Sequence, residues 1–100
     1  MDLGKDLNRF FRDLIKRAIL GFVAIKTKLS YNQAEIVWDT TSRLVKEAAQ
    51  FSDKSGAQKR EWVCENLRQL AATAMEQGII DSLTDRDVNW IIETVLEVVL

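Results

Sequence analysis

The sequence predicts an all-α fold: a small four-helix bundle of three long helices and a shorter carboxy-terminal one. Three observations carry this expectation. The 100 residues hold no proline and only four glycines, too few turn formers for a β-sandwich, which needs them about every ten positions. Apolar residues recur at steps of three and four through four separate stretches, the period of an amphipathic helix. A Ser or Thr stands three residues before a Gln or Asp at Ser30/Gln33, Ser55/Gln58 and Thr84/Asp87. At that spacing two side chains can satisfy the first unpaired backbone amides of a helix. One hundred residues make one domain, 1–100, and 47% hydrophobic with 29% charged residues is a folding composition rather than a disordered one.

The first helix is expected from Leu3 to about Lys28. Leu3, Leu7, Phe10, Phe11, Leu14, Ile15, Ala18, Ile19, Phe22, Val23 and Ile25 make a broad apolar face, and Lys5, Arg9, Arg12, Lys16 and Arg17 are spread around the remainder. Its charge-free stretch runs only from Ala18 to Ile25, well short of the about 20 apolar residues of a membrane span. No small-residue cleavage site follows to make it a signal peptide; Ile25-Lys26-Thr27-Lys28 stands there instead. Two readings are open: the apolar face packs against the rest of the chain, or the helix lies on a membrane surface. The favoured packing makes Phe10, Phe11 and Phe22 core residues rather than base-stacking platforms, and Gly21 either weakens the helix or permits a close crossing.

The second helix, opened by Ser30, carries Ala34, Val37, Trp38, Thr41, Leu44, Val45, Ala48 and Phe51 on one side. Asp53-Lys54-Ser55-Gly56 breaks the pattern. The third helix starts at Ser55, turns Trp62, Val63, Leu67, Leu70, Ala71, Ala74 and Met75 inward, and ends at Gly78, where a left-handed terminator is expected. A linker, Ile79-Ile80-Asp81-Ser82-Leu83, has apolar anchors. The last helix, opened by Thr84, carries Val88, Ile91, Ile92, Val95, Leu96 and Val99. Trp38, Trp62 and Trp90, one on each of the last three helices, are expected as core anchors.

Several chemistries are excluded. With no histidine and one cysteine, the chain offers no Cys/His zinc site, no intramolecular disulfide and no histidine acid–base pair. The i,i+4 carboxylates Glu35/Asp39, Glu61/Glu65 and Glu93/Glu97 lack the Glu-x-x-His partners of a di-iron bundle and read as solvated faces. Residues 81–87 offer oxygen donors without the glycine and closing glutamate of a calcium loop. Cys64 has no histidine to activate it and reads as a buried structural thiol. No catalytic residue, cofactor or metal is expected, and the protein is not expected to be an enzyme.

The net charge of −1 is unevenly spread. Residues 1–29 carry seven Lys/Arg and three Asp/Glu, a net of +4, whereas residues 30–100 carry seven and twelve, a net of −5. A basic amphipathic helix on an acidic helical body suggests an anionic partner, or complementarity within the fold or an oligomer. A helix-turn-helix is disfavoured: the connection from Gly78 to Thr84 is long, and the helix after it opens Asp85-Arg86-Asp87, which would repel phosphate.

The stretch from Ala48 to Leu96 resembles the soluble carboxy-terminal region of LL-H-type phage holins. The resemblance is carried by Val45-Lys46-Glu47-Ala48-Ala49-Gln50-Phe51, Ser55-Gly56-Ala57-Gln58-Lys59-Arg60-Glu61-Trp62-Val63, Gly78-Ile79, Leu83-Thr84-Asp85-Arg86-Asp87-Val88 and Ile91-Ile92-Glu93-Thr94-Val95. It covers about half of the chain through short motifs. It implies a phage or prophage origin and a helical region on the cytoplasmic side of a lysis protein, with no catalytic residue. The chain departs from that family where holins have an amino-terminal membrane span, because residues 1–29 are too charged to be one.

The expectation is therefore a non-enzymatic, holin-like helical module acting by protein–protein contact, cytoplasmic and peripheral to the inner face of the membrane through its basic first helix. Phe10, Phe11, Lys16, Arg17, Ile19, Phe22 and Val23 form the expected membrane or partner surface. The first helix is apolar over a wide arc and the fourth around much of its circumference, so a homo-oligomer, most simply a dimer, is expected to complete the core. An anionic membrane surface is the other expected partner. The alternative is a small cytoplasmic regulator or adaptor that binds nucleic acid through its basic arm, which the acidity of residues 30–100 disfavours.

Overall fold

The structure is a computed structural model that describes residues 3–99; the side chains of Leu3 and Val99 lie outside what it describes. It contains four helices: α1 (Leu3–Thr27), α2 (Tyr31–Ala49), α3 (Gly56–Glu76) and α4 (Asp85–Val99). Among the described residues there is no strand. The all-α four-helix architecture expected from the periodicity is the one observed.

The helix ends follow from local chemistry. Ser30 caps α2, its hydroxyl accepting from the Gln33 amide at 3.2 Å. The reciprocal half of that motif is missing, because Gln33 turns its Oε1 across the molecule to accept from the Asp81 amide at 3.2 Å, tying the α3–α4 linker to the start of α2. At α3 the capping box is complete: the Gln58 amide donates to Ser55 Oγ, and the Ser55 amide donates to Gln58 Oε1 at 2.8 Å. Thr84 and Asp87 make the same reciprocal pair before α4, both bonds at 3.1 Å. Gly78, at φ +73°, ends α3. The Ile79 amide then reaches the Ala74 carbonyl at 2.8 Å and the Gly78 amide the Met75 carbonyl at 3.2 Å, the paired bonds of a Schellman motif.

α2 is the central helix. It packs against all three others; α3 and α4 meet each other, α1 touches α4 at one end, and α1 and α3 do not meet among the described residues. The core is built from Ala34, Val37, Trp38, Leu44, Val45 and Ala48 of α2, Val63, Leu67 and Ala71 of α3, and Val88, Ile91, Ile92 and Val95 of α4. Ile80 and Leu83 of the linker are buried as anchors, while Ile79 stays largely exposed. The one polar core residue of α2, Thr41, donates to the Val37 carbonyl at 2.7 Å, so its hydroxyl is not left unpaired.

Three expectations are corrected, and one of the two readings open at Gly21 is removed. Leu70 is not an inward residue of α3 but is 42% exposed; the apolar face of α3 is wider than the surface α2 and α4 offer it. Of the three tryptophans only Trp38 is buried. Trp62 is half-buried against Phe51, its ring edge-on at 4.8 Å, and Trp90 is half-buried against Phe22. Gly21 does not mark a close crossing, because a Cβ there would meet nothing within 4 Å. The largest correction concerns the face of α1 that packs.

Candidate functional site: the outer face of helix α1

α1 joins the body only through its second half. Leu20 and Val23 are buried and Thr27 is sealed in beside them, its hydroxyl donating to the Val23 carbonyl at 2.7 Å. Residues 4–18 are all exposed. Lys16 Nζ makes a surface ion pair with Asp39 Oδ1 of α2 at 3.2 Å. The amino-terminal half of the helix therefore overhangs the body.

An α-helix advances about 100° per residue, so Leu20, Val23 and Thr27 share one side. On the opposite side lie Leu7, Phe11, Leu14, Ala18, Phe22 and Ile25, flanked by Phe10 and Ile15. This stripe runs for about 27 Å along the helix and points away from the body. Phe10 is 60% exposed, Phe22 61% and Ile25 79%, with Leu7, Phe11, Leu14 and Ile15 each above half. The expectation that the apolar face of α1, with Phe10, Phe11 and Phe22, packs into the core is overturned.

The charged residues explain which side is which. Lys5, Arg9, Arg12 and Lys16 continue, towards the amino terminus, the line that Leu20, Val23 and Thr27 follow on the body. That side is polar where α1 overhangs and meets water, and apolar where it meets α2. The outer stripe is apolar along its whole length. Packing within the chain accounts for the first pattern and leaves the second without a role.

Of the residues expected to form a membrane or partner surface, the structure gathers Phe10, Phe11 and Phe22 on the outer stripe and sets Arg17 along its edge. Ile19 is half-buried at the margin. Lys16 faces Asp39 instead. Val23 is corrected outright: its exposure is 0%, and it is a core residue. Leu20, absent from the expected apolar face, is the other anchor. At its carboxy-terminal end the stripe continues onto α4, where the Phe22 and Trp90 rings lie 5.8 Å apart and Lys26 Nζ sits 6.0 Å from the centre of the Trp90 ring.

Seven large apolar side chains of α1 are each more than half exposed along this side, and a contiguous exposed apolar patch of that kind marks an interaction site. Within α1 there are six Lys/Arg against two Asp, and neither aspartate lies on the stripe. A long apolar side backed by cations is the composition of a helix that beds in an interface. Among the described residues no helix is long and apolar enough to cross a membrane.

The other sequence candidates for chemistry take structural places. Glu35, Asp39, Glu61, Glu65, Glu93 and Glu97 are all exposed, with Asp39 paired to Lys16 and Glu93 to Arg60 at 2.7 Å. Cys64 is half-buried, its thiol 3.3 Å from Asn89 Oδ1. Comparison with family models, with curated proteins and with solved structures gave no match.

Proposed function

We propose that this protein is a non-enzymatic, holin-like docking module that works by contact, with α1 laid along an anionic membrane surface and the acidic body held behind it. The observation that carries this is the outer stripe of α1, an apolar side left more than half exposed by the described residues. Its dimensions suit a helix lying in the interface rather than crossing it. Arg17 and Lys26, on the two edges of the stripe, stand where cations reach headgroups while the apolar residues between them enter the acyl boundary. The resemblance to the soluble region of LL-H-type holins supports a place on the cytoplasmic side of a membrane in a phage lysis system.

The test is flotation with vesicles of phosphatidylglycerol and phosphatidylcholine, comparing the wild type with a Phe10→Ser, Phe11→Ser variant. Both side chains are more than half exposed, so the variant keeps its melting temperature. Its vesicle partition is expected to fall at least tenfold, since each aromatic moved out of water contributes about 1.5–3 kcal/mol. Wild-type protein that stays in the soluble fraction, or a variant that floats equally well, defeats the proposal. A stable wild-type dimer by light scattering that the variant abolishes, with no flotation, would assign the stripe to a second copy instead.

A further inference from the structure

A second feature lies away from α1. Where α2 ends and α3 begins, the body opens into a cavity of about 310 Å³ between α2, α3 and α4. Its apolar wall includes Ala48, Val63, Ile92 and Leu96, and Lys59 and Arg60 of α3 stand among its lining. The void has a sequence cause. Ala48 and Ala49 close α2 and Gly56 opens α3, and these small residues line the space without filling it. The Arg60–Glu93 ion pair, 2.7 Å, ties α3 to α4 across this region.

We infer that this cavity is a binding site for a single-chain carboxylate amphiphile, a free medium-chain fatty acid. The space is open to solvent on one side, so it is a groove rather than a sealed cavity, and its volume suits an unbranched tail of roughly eight to ten carbons laid along its apolar wall. Charge selects the head. The body outside α1 is acidic, yet two cations of α3 line this cavity. Arg60 spends one nitrogen on Glu93 and keeps further N–H donors on the same guanidinium. Lys59 has no carboxylate within ion-pair reach among the described residues, and its ammonium lies 3.5 Å from the Ala49 carbonyl at the end of α2. A carboxylate at the mouth meets both cations beside the first turn of α3, whose dipole also favours an anion. The tail then lies along Ala48, Val63, Ile92 and Leu96. This site is independent of the membrane-facing stripe.

The experiment is a titration of the full-length protein with decanoate below its micelle concentration, followed by amide chemical shifts so that binding is located. Saturable shifts are expected at Ala48, Val63, Ile92 and Leu96. Decanol, of the same tail without the charge, should bind at least tenfold more weakly, and Lys59→Glu should weaken decanoate by a similar factor. Ala49→Phe, at an exposed position of the lining, should block the site while leaving the melting temperature unchanged. A monoacyl phosphocholine separates a free acid from a membrane lipid; it is expected not to compete. Decanoate shifts confined to α1, equal binding of decanol and decanoate, or undiminished binding by Ala49→Phe would overturn the proposal.

Discussion

Two residues at the ends of helices show how much local conformation costs this chain. Lys28, which terminates α1, has φ +61°, a left-handed conformation that a side chain with a Cβ adopts at about 1 kcal/mol or more. Gly78 does the same work after α3 at φ +73° with no such cost. Lys28→Gly is therefore expected to stabilise the protein by about 0.5–1 kcal/mol, read as a rise of roughly 2–6 °C in melting temperature. The converse holds at Gly21, a mid-helix glycine whose missing Cβ would touch nothing within 4 Å. Gly21→Ala should raise helix stability by about 0.5–1 kcal/mol. A loss of stability at Gly21 would mean that another chain approaches the helix there.

At the scale of elements, α1 is two helices in one. Residues 19–27 are held by Leu20, Val23 and Thr27 against α2, and residues 4–15 have no buried side chain to hold them. A helix of that length without packing is marginal in water. Amide hydrogen exchange should accordingly be at least tenfold faster over residues 4–15 than over 19–27, and the difference should shrink when anionic vesicles are added. Uniform protection along α1 in water would contradict this picture. The division also explains what was legible beforehand. The pattern of α2 from Ala34 through Ala48 matches its buried side because that helix has one apolar side and its neighbours pack there. α1 from Ala18 to Ile25 is apolar all round, and periodicity alone merges the two sides into one. The signal that separates them is the line of Lys5, Arg9, Arg12 and Lys16, which continues into Leu20 and Val23 and so marks the inward side. The cavity near Ala48 is lined by small residues from two helices, Ala48, Ala49 and Gly56, and no repeat along one helix marks where such residues come together.

The whole molecule combines a net charge of −1 with a strong segregation, +4 on residues 1–29 and −5 on the remainder. An anionic surface would repel a protein of this composition if its charges were mixed, so on the proposed function the approach to such a surface would depend on which side faces it. Most cations of α1 lie on its inward side, and Lys16 is already engaged by Asp39 at 3.2 Å. Arg17 and Lys26 are left flanking the stripe. Each cation near such a surface contributes about 1 kcal/mol, so the two together are worth roughly thirtyfold in partition, less than the two phenylalanines supply. The apolar stripe should thus dominate, with charge setting orientation. Raising salt well above physiological strength shortens the screening length from about 8 Å towards 3 Å, and it should reduce binding to phosphatidylglycerol-containing vesicles by about tenfold without abolishing it. Arg17→Gln with Lys26→Gln should lower binding at low salt by roughly thirtyfold and remove most of the salt dependence. Binding that vanishes completely at high salt would show that charge, not the stripe, holds the protein to the surface. Binding that salt leaves untouched would show that the two edge cations play no part.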